Sequence, residues 1–171
     1  MNAWPEKVLE KIPQSVRDTA LLRFFGFTKI PLLWYLKPVV MEMDDKRCVI
    51  KIPLNRRSKN HLNSMYFAAL CAGADCAGGL FAMKLIRQSG EKVSLAFKDF
   101  HAEFHKRAEG HTYFVCEQGE EIAAFVKQVL ESDERHHMPM KITAKCPDKL
   151  ADEPVAEFTL TLSLKKKSSA I

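Results

Sequence analysis

Apolar positions along the chain change their period several times, and each change marks an element. Across residues 5–25, Val8, Ile12, Val16, Ala20, Leu21 and Phe24 recur at helical spacing, interrupted at Pro13, which predicts one or two short helices laid over something else. From Tyr35 the pattern turns strand-like. Residues 38–43 and 48–54, the latter with Val49, Ile50 and Ile52, flank the polar turn Asp44-Asp45-Lys46-Arg47 and read as a hairpin. A polar connection over 55–63 leads into a long apolar stretch, 64–88, with Ser or Asn available as a cap at its start and Gly90 as its stop. Residues 92–106 alternate as a long strand, with Val93, Leu95 and Phe97 followed by Phe100, Ala102 and Phe104. Gly110 then separates it from a hairpin partner over 111–117. Ile122, Phe125, Val126 and Val129 suit a helix or a strand, and a strand over 116–130, irregular at Gln118-Gly119-Glu120, is the reading adopted. Residues 138–145 and 155–164 close the chain as strands, the last alternating Phe158, Leu160, Leu162 and Leu164.

A helical cover, a hairpin, one long apolar helix and then a run of antiparallel strands make an α+β order. The long helix can bury itself only if the antiparallel sheet curls around it, which is the hotdog fold. The division expected is an N-terminal helical extension over 1–34 and a hotdog domain over 35–171. A chain of 171 residues is long enough to bury one self-sufficient core.

Composition narrows the function classes. Five cysteines, odd in number and scattered without C-x-x-C or Cys/His metal spacing, read as reduced thiols. No basic, then apolar, leader opens the chain, so a cytoplasmic location is expected. The net charge of +5 is modest and local, concentrated in Arg56-Arg57-Ser58-Lys59 and Lys165-Lys166-Lys167. No aromatic positions interleave these clusters as stacking platforms, so nucleic acid is not the expected partner.

Within MYFAALCAGADCAGGLFAM, residues 65–83, Asp75 is the only charged group. The length approaches a membrane span of about 20 residues. Yet the segment is rich in Ala and Gly and carries its carboxylate at the midpoint, where insertion costs roughly 2.5–3.5 kcal/mol. A helix apolar all round equally suits the core of a sheet-wrapped domain, and no membrane span is expected. At 3.6 residues per turn Ser64, Ala68, Cys71, Asp75, Gly78 or Gly79, and Ala82 share a face of small residues, opposite Phe67, Leu70, Phe81 and Leu85. A carboxylate in such surroundings is either satisfied by a local donor or held with raised proton affinity, as suits a general base or a nucleophile. The helix start, with Asn60, His61, Asn63, Ser64 and Tyr66 around it, supplies free backbone N–H groups suited to an oxyanion. Tyr66 and Asp75 are nine positions apart, about 13 Å along the axis, too far to meet at one carbonyl carbon. Two chains must then share a site, and the chemistry predicts a homodimer.

The stretch NHLNSMYFAALCAGADCAGG, residues 60–79, resembles the hotdog thioesterases of the phenylacetyl-CoA type, and more closely an uncharacterised hotdog branch related to them. In those enzymes an Asn precedes a His-Gly-Gly turn at the helix start and an Asp follows nine residues after the His. Asn60, Tyr66 and Asp75 fall on those positions, and Gly79 matches a small residue later in the helix. The strand around 98–110 is similar to the family's long strand, which pairs across the dimer. Two departures stand out: Tyr66 replaces the His, and Phe67-Ala68 replaces the Gly-Gly. The resemblance implies hydrolysis of an acyl-CoA or acyl-carrier-protein thioester, with no cofactor beyond the coenzyme A of the substrate and no metal. It assigns Asp75 as base or nucleophile, the amide of Phe67 or Ala68 as oxyanion donor and Asn60 as an orienting group. The hydrogen-bonding side chains of the helix-start loop, His61, Asn63 and Ser64, are candidates for substrate contacts, and the sequence leaves open whether dimers pair into a tetramer.

His101 and His105 share a strand face about 13 Å apart, too far for one ion, and His136-His137 read as surface. Cys71 lies one turn from Asp75, but an apolar helix face quiets a thiol. His105, Lys106 and Arg107, or Arg56, Arg57 and Lys59, are candidates for the phosphates of coenzyme A, with solvated surface as the plain alternative. The Asp/His motif of hydratases on this fold is absent from the sequence. The competing class is a non-catalytic hotdog module that binds acyl-CoA or a fatty acyl chain.

Overall fold

A computed structural model describes residues 12–167. Helices α1 (Gln14–Lys29) and α2 (Pro31–Leu36) precede strands β1 (Val39–Met43) and β2 (Cys48–Ile52). The long helix α3 (Phe67–Ser89) leads to β3 (Val93–Phe104) and β4 (Thr112–Cys116). Then come α4 (Gly119–Leu130), β5 (Arg135–Lys145), the single turn α5 (Pro147–Leu150) and β6 (Pro154–Lys166). All six strands form one antiparallel sheet in the order β1-β2-β4-β5-β6-β3. Ile50, Phe114, Ile142, Phe158 and Leu162 point from successive strands into the core around α3. This is the hotdog arrangement that the apolar helix required.

The helix is apolar because the sheet surrounds it. By length and composition α3 could cross a membrane, yet 56% of its most apolar window lies inside the fold. Its small residues set how closely the sheet approaches. At Gly73 an added Cβ would sit 2.2 Å from the Phe114 ring on β4, so only glycine lets helix and strand close there. The helix ends at Gly90, whose φ of 73° is the left-handed conformation that stops a helix.

Several expectations are corrected. Residues 119–130 are helix, not strand: Ile122, Phe125, Val126 and Val129 are all buried on one helical face, with Glu120 and Glu121 in the first turn, where the dipole favours acid. The Gly119 amide donates to the Lys46 carbonyl and anchors this helix to the β1–β2 turn. Strands β3 and β4 are not a hairpin. The sheet's order places β3 at the far edge beside β6, while β4 lies between β2 and β5. Tyr35 lies in α2 rather than at a strand start, since Pro31 opens a helical turn there and Lys37 at φ 52° ends it. Neither Ser nor Asn caps α3. Tyr66 occupies the cap position, without a side-chain bond. Phe67, expected on the side that packs, is instead 56% exposed at the first turn. The helical reading of residues 12–25 is realised in α1, while its portion over 5–11 lies outside the described residues.

The parity switch in the long strand has a local cause. Phe97 faces Leu162 and Phe100 faces Leu160, so three residues of β3 span two of β6, and a bulge at Lys98-Asp99 moves the inward set from odd to even numbers. Phe100 and Phe104 therefore both reach Phe158 on the concave face. They remain 42% and 49% exposed, because they lie on the edge strand.

Candidate active site

Asp75 sits in the middle of α3, on the side turned toward β3. The helix places Gly79 one turn further on, and a Cβ built there would lie 3.9 Å from Asp75 Oδ1 and 3.4 Å from the Phe97 ring. The missing side chain at Gly79 leaves that carboxylate face open. Asp75 is half-buried, and burial alone pushes its carboxyl above the ordinary value. No hydrogen bond from a described residue offsets that cost. The carboxylate lines a cavity of about 210 Å³ whose other walls include Leu95 and Phe97 from β3, Leu80 and Met83 from α3, and Leu22 and Leu33 from the N-terminal helices.

At the other end of the same face the chain builds a rigid approach to the helix. The Asn60 side chain accepts from the Leu62 amide at 2.9 Å, and Asn60 and Ser64 bond both through their side chains and from the Asn60 amide to the Ser64 carbonyl at 2.8 Å. Asn63 takes φ 61° in this loop, within reach of the Lys59 ammonium at 3.2 Å. Ser58, 1% exposed, ties the loop to Pro53, donating its hydroxyl to that carbonyl at 2.7 Å. The amides of Met65 and Tyr66 are spent on the carbonyls of Ala108 and Ser58. Those of Phe67 and Ala68 have no acceptor among the described residues, leaving two donors free at the positive end of the helix dipole.

These positions separate the sequence-derived candidates. Asn60 and Ser64 are bound to one another, and Ser64 is buried, so both brace the loop. His61, Asn63 and Tyr66 are exposed around the helix start. Asp75 lies eight residues beyond Phe67, about 12 Å along the axis, so the free amides and the carboxylate do not meet within one chain. His105 and Arg107 lie at and just beyond the end of β3. There His105 Nε2 is 2.9 Å from a Glu157 carboxylate oxygen and Arg107 is exposed. Glu103, His105 and Glu157 bring potential metal-ligand atoms within 4.8 Å of one another on the exposed face, a grouping that sequence spacing alone does not reveal, since Glu157 comes from β6. Burial raises the pKa of the Cys71 and Cys76 thiols beside Asp75, leaving neither as a ready nucleophile. Arg57, from the basic cluster before the helix, lies over the Tyr35 ring at 5.8 Å. Sequence reasoning missed the residues from α1 and α2 that face Asp75; their amphipathic spacing signalled a cover without saying what lay beneath it.

The fold and the placement of Asp75 define a hotdog-class domain. The family described as "Domain of unknown function (DUF4442)" matches residues 18–164, and the chain belongs to it. No curated protein matches significantly in sequence. Among solved structures, a protein of unknown function from Chlorobaculum tepidum superposes with a TM-score of 0.74 at 13% identity, over 90% of this chain and 97% of that one. A probable thioesterase from Pseudomonas aeruginosa gives 0.69 at 18% identity, over 87% and 96%. A thioesterase from Haemophilus influenzae gives 0.64 at 11% identity, over 87% and 90%. At such identities the likeness is one of fold.

Proposed function

We propose that this chain is an acyl thioester hydrolase acting as a homodimer, on acyl-CoA or an acyl carrier protein. The observation that carries the reading is the Asp75 carboxylate, half-buried, with no hydrogen-bond or ion-pair partner among the described residues, and facing an apolar cavity. A group held this way binds a proton more tightly than a solvated carboxylate, which is what a general base needs to take one from water. Asp75 takes the proton of a bound water as its oxygen attacks the thioester carbonyl carbon. The oxyanion of the tetrahedral intermediate rests on two backbone amides, then the C–S bond breaks and the proton held by Asp75 passes to the departing thiolate, restoring the carboxylate. The free amides of Phe67 and Ala68 are the donors of the right kind, and their distance from Asp75 along one helix assigns them to the other subunit. The outer edge of β3 pairs with no other strand among the described residues and the concave side beside it exposes Phe100 and Phe104, which supports that strand as the seam between subunits. The phosphates of coenzyme A would meet either Arg56, Arg57 and Lys59, exposed before the helix start, or His105, Lys106 and Arg107 beyond the end of β3.

The test is free-thiol release from a panel of short, long and aromatic acyl-CoAs, with Asp75→Asn beside the wild type. Turnover lost in the variant supports the hydrolase. Acyl-CoA binding with no turnover from any member of the panel, carrier-protein substrates included, makes the chain a binding module instead.

A further inference from the structure

The cavity at Asp75 does not stand alone. A second cavity of about 580 Å³ lies further along α3, between it and α1, and the two share Leu22, Phe25, Leu80 and Met83 as walls. Helix α1 rests on α2 and β1, leaving this space between itself and the C-terminal half of α3. Alone, the Asp75 chamber is smaller than the roughly 300–1,000 Å³ usual for a small-molecule site, and only with its neighbour does it enter that range. Leu21, Phe24 and Met43 continue the apolar lining; Asp75 is the charged group among the residues lining the first cavity, and Asp18, Lys29, Lys84 and Arg87 come in with the second.

We propose that α1 and α3 enclose a channel for a long, unbranched acyl chain, with the thioester at Asp75 and Leu22, Phe25, Leu80 and Met83 as the constriction that sets chain length. This rests on the hydrolase reading and names its substrate class. Asp75 and Arg87 are twelve residues apart on α3, about 18 Å at 1.5 Å per residue, which accommodates a chain of roughly 12 to 16 carbons. Each methylene drawn into the channel strengthens binding about fourfold, and the gain stops where the chain emerges between the charged groups of the mouth. The N-terminal helices are thus a wall of the site.

The experiment measures kcat/KM for butanoyl-, octanoyl-, palmitoyl- and phenylacetyl-CoA with wild type and Leu80→Trp. Leu80 is only partly buried, so the larger ring is tolerated, and melting temperatures check the fold. In parallel, displacement of a fluorescent long-chain fatty acid from Asp75→Asn protein, with and without Leu80→Trp, reads the channel without chemistry. The expected result is a wild-type preference for palmitoyl over butanoyl that falls at least tenfold in Leu80→Trp, with matching loss of fatty-acid binding. Fatty-acid binding that Leu80→Trp weakens, with no hydrolysis of any thioester, supports the channel while removing the hydrolase reading. Hydrolysis with a phenylacetyl or butanoyl optimum that Leu80→Trp leaves unchanged overturns the channel and leaves the hydrolase standing.

Discussion

Two glycines of α3 separate its structural from its chemical duties, and replacing each by alanine reads the difference. In a helix interior Gly→Ala gains about 1 kcal/mol from backbone entropy alone. At Gly79 the new methyl meets Phe97 at 3.4 Å and Asp75 Oδ1 at 3.9 Å, ordinary contacts that add little strain. The variant should therefore be more stable by about 0.5–1 kcal/mol, a rise in Tm of roughly 1–4 °C for a domain of this size. That methyl occupies the open side of the Asp75 carboxylate, where water and the acyl carbonyl would sit in the proposed hydrolase. We expect kcat/KM for acyl-CoA to fall at least tenfold, about 1.4 kcal/mol of transition-state stabilisation. At Gly73 the balance reverses, because the methyl would stand 2.2 Å from Phe114, and overpacking costs about 1–3 kcal/mol, more than the helix gains. Thermal melts and thioester hydrolysis on both variants decide the matter. A Gly79→Ala protein that is stabilised and fully active would refute the claim that substrate approaches Asp75 across Gly79.

Asp75→Asn should abolish hydrolysis, and the acid limb of the wild-type kcat/KM profile should lie above the ordinary carboxylate value of 3.8, since burial raises this pKa. The same shift governs stability. A raised folded-state pKa favours the fold below the unfolded value and loses that advantage as pH rises through the folded one. The Asn variant should thus melt above wild type at neutral pH, with the gap closing on acidification. Phe104→Glu puts a charge on the exposed concave face beside β3; if β3 forms the proposed seam, light scattering should show a dimer for the wild type and a monomer for the variant, with activity falling alongside. Ser58→Ala removes a buried hydroxyl that donates to Pro53 and accepts from the Asn55 amide. Unfolding titrations should record a loss of about 1–3 kcal/mol.

Much of the architecture is legible without coordinates, because it rests on local periodicity. The apolar run around Asp75 can be buried only inside a curled sheet, Gly90 stops it wherever it lies, and the switch from Phe97 to Phe100 already contains the extra residue that becomes a bulge. Asp75 is legible as a candidate for the same reason, being the one charge in that run. Tertiary structure decided what periodicity leaves degenerate. Ile122, Phe125, Val126 and Val129 fit either period, and it is the end of β4 at Cys116 and the amide of Gly119 on Lys46 that make them a helix. Strand order is equally non-local: β3 lies beside β6, more than fifty residues later, so no reading of neighbours could place Phe100 and Phe104 on an open edge. The walls facing Asp75 come from α1, α2 and β3, and only their convergence creates a cavity and desolvates the carboxylate. Local sequence sets which residues can form an element, whereas burial, and with it the chemistry of Asp75, exists only once distant elements meet.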